Sequence, residues 1–155
     1  MTHPFKQDDG GRAAAGFRGS AGDCVTRSIV IATGKPYREV YDALNRIAEG
    51  TSRRGATRRR AASVKSKPSS RTGHHRRVYE QYLKSIGWEW VPVMKIGSGC
   101  TVHLCAEELP MGRLVVSVSR HLVAVIDGVI HDTYDPSRGG TRCVYGYYYR
   151  SGDHT

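Results

Sequence analysis

Apolar residues recur at helical spacing in the first half of the chain. The first such element starts after Asp23, a residue favoured as an N-cap with its carboxylate against the first backbone amides, and stops at Gly34. A second apolar stripe covers residues 36–50, and a third covers residues 75–87. We therefore predict three helices before residue 88.

From Trp88 onward the pattern changes to the alternation of apolar and polar residues that is typical of β-strands. Five runs carry this alternation, and they are WEWVPVM, RLVVSVS, HLVAVID, VIHDTYD and CVYGYYYR. We interpret the last run as an edge or closing strand. Helices followed by a mainly antiparallel sheet predict the α+β class.

The third and fourth of these runs flank Asp127-Gly128, a dipeptide that strongly favours the type I′ turn of a β-hairpin. With a two-residue turn, His121 lies diagonally across from Asp132 on the same face, within side-chain reach. His131 and Asp135 fall on the other face, and a slip of one residue would exchange the two sets. The hairpin therefore predicts a contact between an imidazole and a carboxylate.

The net charge of +10 resides in one segment. Ten Lys and Arg residues and no acidic residue lie between Thr51 and Arg77, which leaves the remainder of the chain neutral. We expect residues 51–74 to form a disordered basic insert, because they offer too little apolar surface to offset the cost of ordering. Residues 53–77 suit an acidic partner or nucleic acid, although no aromatic residue is present for base stacking. The basic loop begins with Arg53, Arg54, Arg58, Arg59 and Arg60.

The length of 155 residues suits one domain. Residues 1–22 are polar and rich in glycine and alanine, so we expect a flexible N-terminal tail preceding a domain over residues 23–155. No apolar run is long enough for a membrane span or a signal peptide, and we expect a cytoplasmic protein of bacterial or phage origin that does not bind membranes. In that compartment the four cysteines are expected to be thiols.

Cys24 occupies the first turn of the first predicted helix. Backbone N–H groups and the helix dipole at that position favour the thiolate, which makes Cys24 a candidate nucleophile. The alternative interpretation is a small buried apolar residue. Together with the hairpin, Cys24 gives the chain order Cys, His, Asp.

The stretches GDCVTRSIVIATG and SRHLVAVIDGVIHDTYDP resemble the papain-like cysteine peptidase superfamily, especially its compact bacterial and phage members of the C39-like type. The resemblance implies a papain-like α+β fold and a cysteine peptidase or amidase that acts on a peptide or protein substrate without a cofactor. It also implies that Cys24 is the nucleophile, His121 the general base and Asp132 the acid that orients the imidazole.

One feature departs from that resemblance. Papain-like enzymes usually carry a glutamine shortly before the cysteine, as an oxyanion donor, whereas this chain has Arg18 and Ser20 in that region. We take Arg18, Ser20 and the backbone N–H of Cys24 as the candidate oxyanion or substrate contacts.

Two other functions remain open. Transglutaminase-like proteins share the Cys, His, Asp order, and in them an amine instead of water attacks the thioester. A catalytically inactive binding module would use the basic loop to hold nucleic acid or an acidic protein.

The stretch CTVHLC, together with Cys143, offers residue types that bind zinc. On an extended strand, however, His103 and Cys105 face one way and Cys100 faces the other. His103 also has no acidic partner on a neighbouring predicted strand. We therefore expect no metal site and interpret these cysteines as thiols packed beside the sheet.

Overall fold

The computed structural model describes residues 4–18, 22–55, 69–71, 73–95 and 97–151, and within them three helices pack against a six-stranded mixed sheet. This arrangement confirms the α+β class. The helices are α1 (Cys24–Thr33), α2 (Tyr37–Gly55) and α3 (Arg76–Ser85). The strands are β1 (Phe5–Gln7), β2 (Trp88–Pro92), β3 (Arg113–Val118), β4 (His121–Ile126), β5 (Val129–Asp132) and β6 (Gly146–Arg150).

The strands follow the order β1-β5-β4-β3-β6-β2, and only β1 with β5 is a parallel pair. Strand β6 therefore lies inside the sheet, and its interpretation as an edge strand was wrong. Tyr148 of β6 is 1% exposed and packs against Trp90, whereas Tyr147 and Tyr149 pack on the opposite face. Strand β6 is thus hydrogen-bonded to β3 on one side and to β2 on the other, and side chains pack on both of its faces.

The hairpin has the predicted pairing. Ile126 opposes Val129 and Val125 opposes Ile130, and both turn residues have positive φ, 49° at Asp127 and 79° at Gly128. The type I′ turn requires this conformation, which asparagine, aspartate and glycine adopt most readily. The turn thus sets the positions of the two strand ends that carry His121 and Asp132.

The sheet separates two apolar clusters. The helices and residues such as Leu122 and Ala124 form one cluster, with Ile29 and Leu44 at 0% exposure. The side chains on the opposite face of the strands form the second cluster, which Leu104 and Val144 from two loop segments help to cover. Alternation along β3 and β4 therefore serves two cores instead of one core and solvent.

Part of the expected N-terminal tail belongs to the sheet. The backbone of β1 pairs with β5, and the Asp8 N–H donates to the Asp132 carbonyl oxygen at 2.9 Å. Strand β5 would otherwise expose its unpaired N–H and C=O groups at a sheet edge. The three residues of β1 were missed because so short a strand carries little periodic signal.

The basic insert also differs from expectation at both of its ends. Helix α2 continues through Gly50 to Gly55, because a single glycine costs a helix only about 1 kcal/mol and does not by itself end it. At the other end, Ser70 and His74 are buried, and the Ser70 hydroxyl donates to the Tyr41 carbonyl at 2.6 Å. Residues 56–68, which make up most of the insert, lie outside the described residues.

Two cysteines are joined in a disulfide, contrary to the expectation of four thiols. Cys100 and Cys143 are bonded with their Cα atoms 5.6 Å apart. The backbone of His103 forms an isolated antiparallel bridge with Cys143, which brings the two distant segments together. Their sequence separation of 43 residues concealed this proximity.

In the part of the chain that the structure describes, the helices fall short of the length and apolarity that crossing a bilayer demands.

Candidate active site

His121 and Asp132 meet at one end of the sheet. His121 begins β4 and Asp132 ends the adjacent antiparallel strand β5, so the hairpin places both side chains at the same edge. The His121 Nε2 lies 2.6 Å from the Asp132 Oδ2, and the two side chains are 7% and 2% exposed. The contact expected from the hairpin pairing is therefore present.

Cys24 is the first residue of α1, and its thiol faces His121. Burial raises the pKa of this thiol, but hydrogen bonds from the His121 side chain and the Leu122 backbone outweigh burial, so the pKa falls below its ordinary value of 9.0. The charges of His121 and Arg27 lower it further. Since Asp132 contacts Nε2, Nδ1 is the imidazole nitrogen that is left for the sulfur.

The pKa of the His121 imidazole changes in the opposite direction. Burial lowers the pKa of His121, whereas hydrogen bonds to Asp132 and Cys24 raise it, with a net result of about 9. Burial raises the pKa of Asp132, but the hydrogen bond from His121 and the charge of Arg27 hold it below its ordinary value. These directions favour the pair of a thiolate and an imidazolium, held by a carboxylate, over the neutral thiol and imidazole.

Arg27 lies one turn along α1 and is the buried cation of this site, with 6% exposure. Its guanidinium donates to Asp132 Oδ1 at 2.8 Å and also to Asp23 Oδ1. The second oxygen of Asp23 accepts from the Tyr37 hydroxyl at 2.7 Å. A chain of charged contacts thus runs from Asp23 through Arg27 and Asp132 to His121.

This chain of contacts corrects the role expected for Asp23. Asp23 occupies the N-cap position of α1, but its carboxylate makes no capping hydrogen bond to the described residues. Arg27 and Tyr37 hold both oxygens instead. The first amides of α1, including the Cys24 N–H, therefore remain without a partner from that side chain.

Arg27 was not among the site residues predicted from the sequence. The available signal was the spacing of Asp23 and Arg27, four residues apart at the start of a helix that carries no other charge. A single charged residue within a buried helix indicates a buried partner, because an unpaired buried charge is costly.

Cys24 and His121 line a cleft of about 810 Å³, and Asp132 lies buried behind His121. The cleft walls include residues from the end of the basic segment, from α3, from the β3–β4 turn and from the stretch after β5. The Tyr134 ring lies 5.5 Å from the His121 ring, centre to centre. The wall also includes His74, His75, Arg76, Tyr79 and Arg120.

His74 is buried in the cleft wall and has a defined tautomer. The Ser70 hydroxyl donates to the Tyr41 carbonyl, so it accepts from His74 Nε2 at 3.0 Å. His74 Nδ1 then carries a lone pair, and it has no hydrogen-bond partner within the described part of the chain. Burial, with a smaller contribution from the charge of His75, lowers the pKa of His74 to about 4, so the ring is neutral at neutral pH.

The remaining candidates are not all brought to the cleft. Arg18 is exposed and is not among the described residues that line the cleft, and Ser20 lies outside the described residues. Two arginines of the basic loop, Arg53 and Arg54, lie in the last turns of α2. The other three, Arg58, Arg59 and Arg60, lie outside the described residues.

The stretch CTVHLC differs from the extended strand that we expected. Only His103 forms a β-bridge there, and the backbone bends so that Cys100 Sγ lies 3.4 Å from His103 Nε2. His103 also has an acidic partner, since its Nδ1 lies 3.2 Å from the Glu108 carboxylate. That partner comes from the turn that follows the bridge, which strand pairing alone could not predict.

No family model, curated protein or solved structure matches this chain.

Proposed function

We propose that the protein is a papain-like cysteine hydrolase that cleaves a peptide or amide bond through an acyl-thioester on Cys24. The observation that supports this proposal is that Cys24 and His121 lie in contact in the wall of an open cleft, with Asp132 buried behind His121 and bonded to it. The pKa of the thiol is lowered and that of the imidazole is raised, which is the state that a nucleophile and its acid–base partner require.

The geometry suits a two-step reaction. The Cys24 thiolate adds to the substrate carbonyl carbon, and the leaving amine takes the proton from His121 Nδ1 as the carbon–nitrogen bond breaks. Water then gives a proton to His121 and adds to the thioester, and the carbon–sulfur bond breaks to release the acid. Asp132 holds the imidazole in position and stabilises its charged form throughout.

The backbone N–H of Cys24 is the oxyanion donor that we propose. It occupies the first position of α1, where amides have no intrahelical acceptor, and the Asp23 side chain does not cap it. This donor replaces Arg18 of the sequence-based candidates, because Arg18 lies away from the described cleft wall.

The cleft wall indicates the kind of substrate. Arg120 presents positive charge on the wall, and Arg76 adds a guanidinium that also contacts Glu80. The carboxylate of Asp23 is turned toward Arg27, so it does not offset this charge. We therefore propose an acidic peptide or protein segment as the substrate class.

An active-site titration with p-nitrophenyl acetate tests the proposed thioester. The wild-type chain is expected to release one equivalent of nitrophenolate in a burst and to carry an acetyl group on Cys24, located by mass spectrometry of peptides. Cys24→Ser should abolish the burst, and His121→Ala should slow it by about 100-fold or more.

His131→Ala is the matched control, because His131 lies on the adjacent strand and contacts Asp8 instead of the cleft residues. Its burst should equal that of the wild type. An absent burst in the wild-type chain, or one that persists in Cys24→Ser, would reject the hydrolase and favour an inactive binding module. If methylamine is converted to its acetyl amide faster than acid is formed, the protein is a transglutaminase-like acyl transferase instead.

A further inference from the structure

We infer that Cys100, His103 and Cys143 form a zinc site when the disulfide between the two cysteines is reduced. One ligand atom from each of the three residues lies within 4.8 Å of the others. Two thiolates and one imidazole are a ligand set that favours zinc over harder cations such as magnesium or calcium.

The distances suit tetrahedral coordination. Zinc bonds of about 2.3 Å to sulfur and about 2.0 Å to nitrogen, at a tetrahedral angle, place the two ligand atoms roughly 3.5 Å apart. Cys100 Sγ and His103 Nε2 are 3.4 Å apart. The imidazole therefore needs little movement, and the main change is the separation of the two sulfur atoms after reduction.

The surroundings orient the histidine as a ligand. His103 Nδ1 lies 3.2 Å from each oxygen of the Glu108 carboxylate. A proton on Nδ1, donated to Glu108, leaves the lone pair on Nε2, the nitrogen that faces Cys100. Carboxylates bound in this way to the far nitrogen are typical of zinc-binding histidines, and their loss weakens binding 10–100-fold.

Backbone contacts bring the ligands together independently of the disulfide. His103 and Cys143 form an antiparallel bridge, and the neighbouring Val144 N–H donates to the Val102 carbonyl at 2.8 Å. Leu104 and Val144, on either side of the bridge, are 0% exposed in the second apolar cluster. The side chains of the three ligands are only partly buried, so a cation can reach them.

Reduction and metal binding are balanced by a dithiol reductant. The reductant gives two electrons and two protons to the Cys100–Cys143 bond and becomes a disulfide itself. Zinc then binds the two sulfur atoms and releases both protons, while His103 remains neutral. The three residues supply three ligands, and water completes the tetrahedron.

Zinc titration of the full chain, with and without prior reduction, tests this inference. After reduction and removal of the reductant, we expect one zinc per chain by elemental analysis following gel filtration, and none in the oxidised chain. Cobalt bound to the reduced chain should show the intense sulfur-to-cobalt absorption of a tetrahedral thiolate site, which reports the ligands without any substitution.

Variants separate these ligands from the other sulfur atoms. Cys143→Ser and His103→Ala should each weaken zinc binding at least tenfold, and Glu108→Gln should weaken it 10–100-fold. Cys24→Ser should bind zinc like the wild type, because Cys24 belongs to α1 on the other face of the sheet. A reduced chain that binds no zinc, or one whose affinity survives both His103→Ala and Cys143→Ser, would overturn the inference.

Discussion

Arg27 carries the positive charge that makes two buried carboxylates tolerable near the candidate nucleophile. Its guanidinium contacts both Asp23 and Asp132, and these three side chains are at most 8% exposed. A planar guanidinium can donate to two carboxylates at once, whereas an ammonium is a single point of charge. Asp132 can therefore stay ionised and still accept from His121.

Removal of this cation should affect both stability and the thiol. We expect Arg27→Met to lower the free energy of unfolding by about 3–5 kcal/mol, because two buried carboxylates lose the cation that they share. Arg27→Lys should be less destabilising but should still slow alkylation of Cys24, since Asp132 is held less firmly. Urea unfolding and the rate of iodoacetamide labelling measure the two effects.

Arg77→Met serves as the control for these substitutions. Arg77 is exposed on α3, so its replacement should change the unfolding free energy by no more than about 0.5 kcal/mol. If Arg27→Met is as stable as Arg77→Met, the buried charge network has no structural role.

At the scale of elements, the close approach of β2 to β6 depends on Gly146. A Cβ atom at this position would overlap the Trp90 ring and lie 2.6 Å from the Val91 carbonyl oxygen. Trp90 in turn packs on Tyr148, with ring centres 4.8 Å apart. Glycine at residue 146 therefore lets an indole lie directly over the neighbouring strand.

We expect Gly146→Ala to lower stability by about 1–3 kcal/mol, the usual cost of overpacking. Gly50→Ala provides the contrast, because a Cβ there meets nothing within 4 Å and the residue lies within α2. This second substitution should raise stability by roughly 0.5–1 kcal/mol. Thermal unfolding of both variants checks the prediction, which fails if the two shifts have the same sign.

Elements with strong local signals could be predicted from the sequence. Helix α1 ends at Gly34 with φ of 75°, as a left-handed C-terminal glycine predicts, and the hairpin turn fixes the contact of His121 with Asp132. Contacts made by single side chains over long distances could not be predicted. Arg27 reaches Asp132 across 105 residues, and no periodic pattern records such a contact.

Across the whole molecule, positive charge and the candidate site meet at the cleft. The basic insert is followed by His75 and Arg76, and residues 73–76 line one wall of the cleft. Arg120 lines another wall. Arg76 also stacks on Trp90, with its guanidinium carbon 4.5 Å from the ring centre, so this charge is fixed near the opening. Anions should therefore concentrate where Cys24 is exposed.

Two alkylating agents of similar size measure this effect. Iodoacetate is an anion and iodoacetamide is neutral, so the ratio of their rates at Cys24 should exceed the ratio for a small thiol and should fall with added salt. Arg120→Ala should lower the ratio, whereas Arg77→Ala should leave it unchanged. An equal ratio in all three proteins would show that the cleft does not favour anions.

The pH dependence of Cys24 alkylation by iodoacetamide tests whether His121 activates the thiol. The wild-type chain should react at neutral pH, and its alkylation rate should reach half of its first plateau at a pH below 9.0, since contact with His121 favours the thiolate. The rate should change a second time near pH 9, where His121 loses its proton. In His121→Ala the second change of rate should vanish, and the pH of the half-maximal alkylation rate should rise. A single transition at or above pH 9 that is the same in both proteins would contradict the activation of Cys24 by His121.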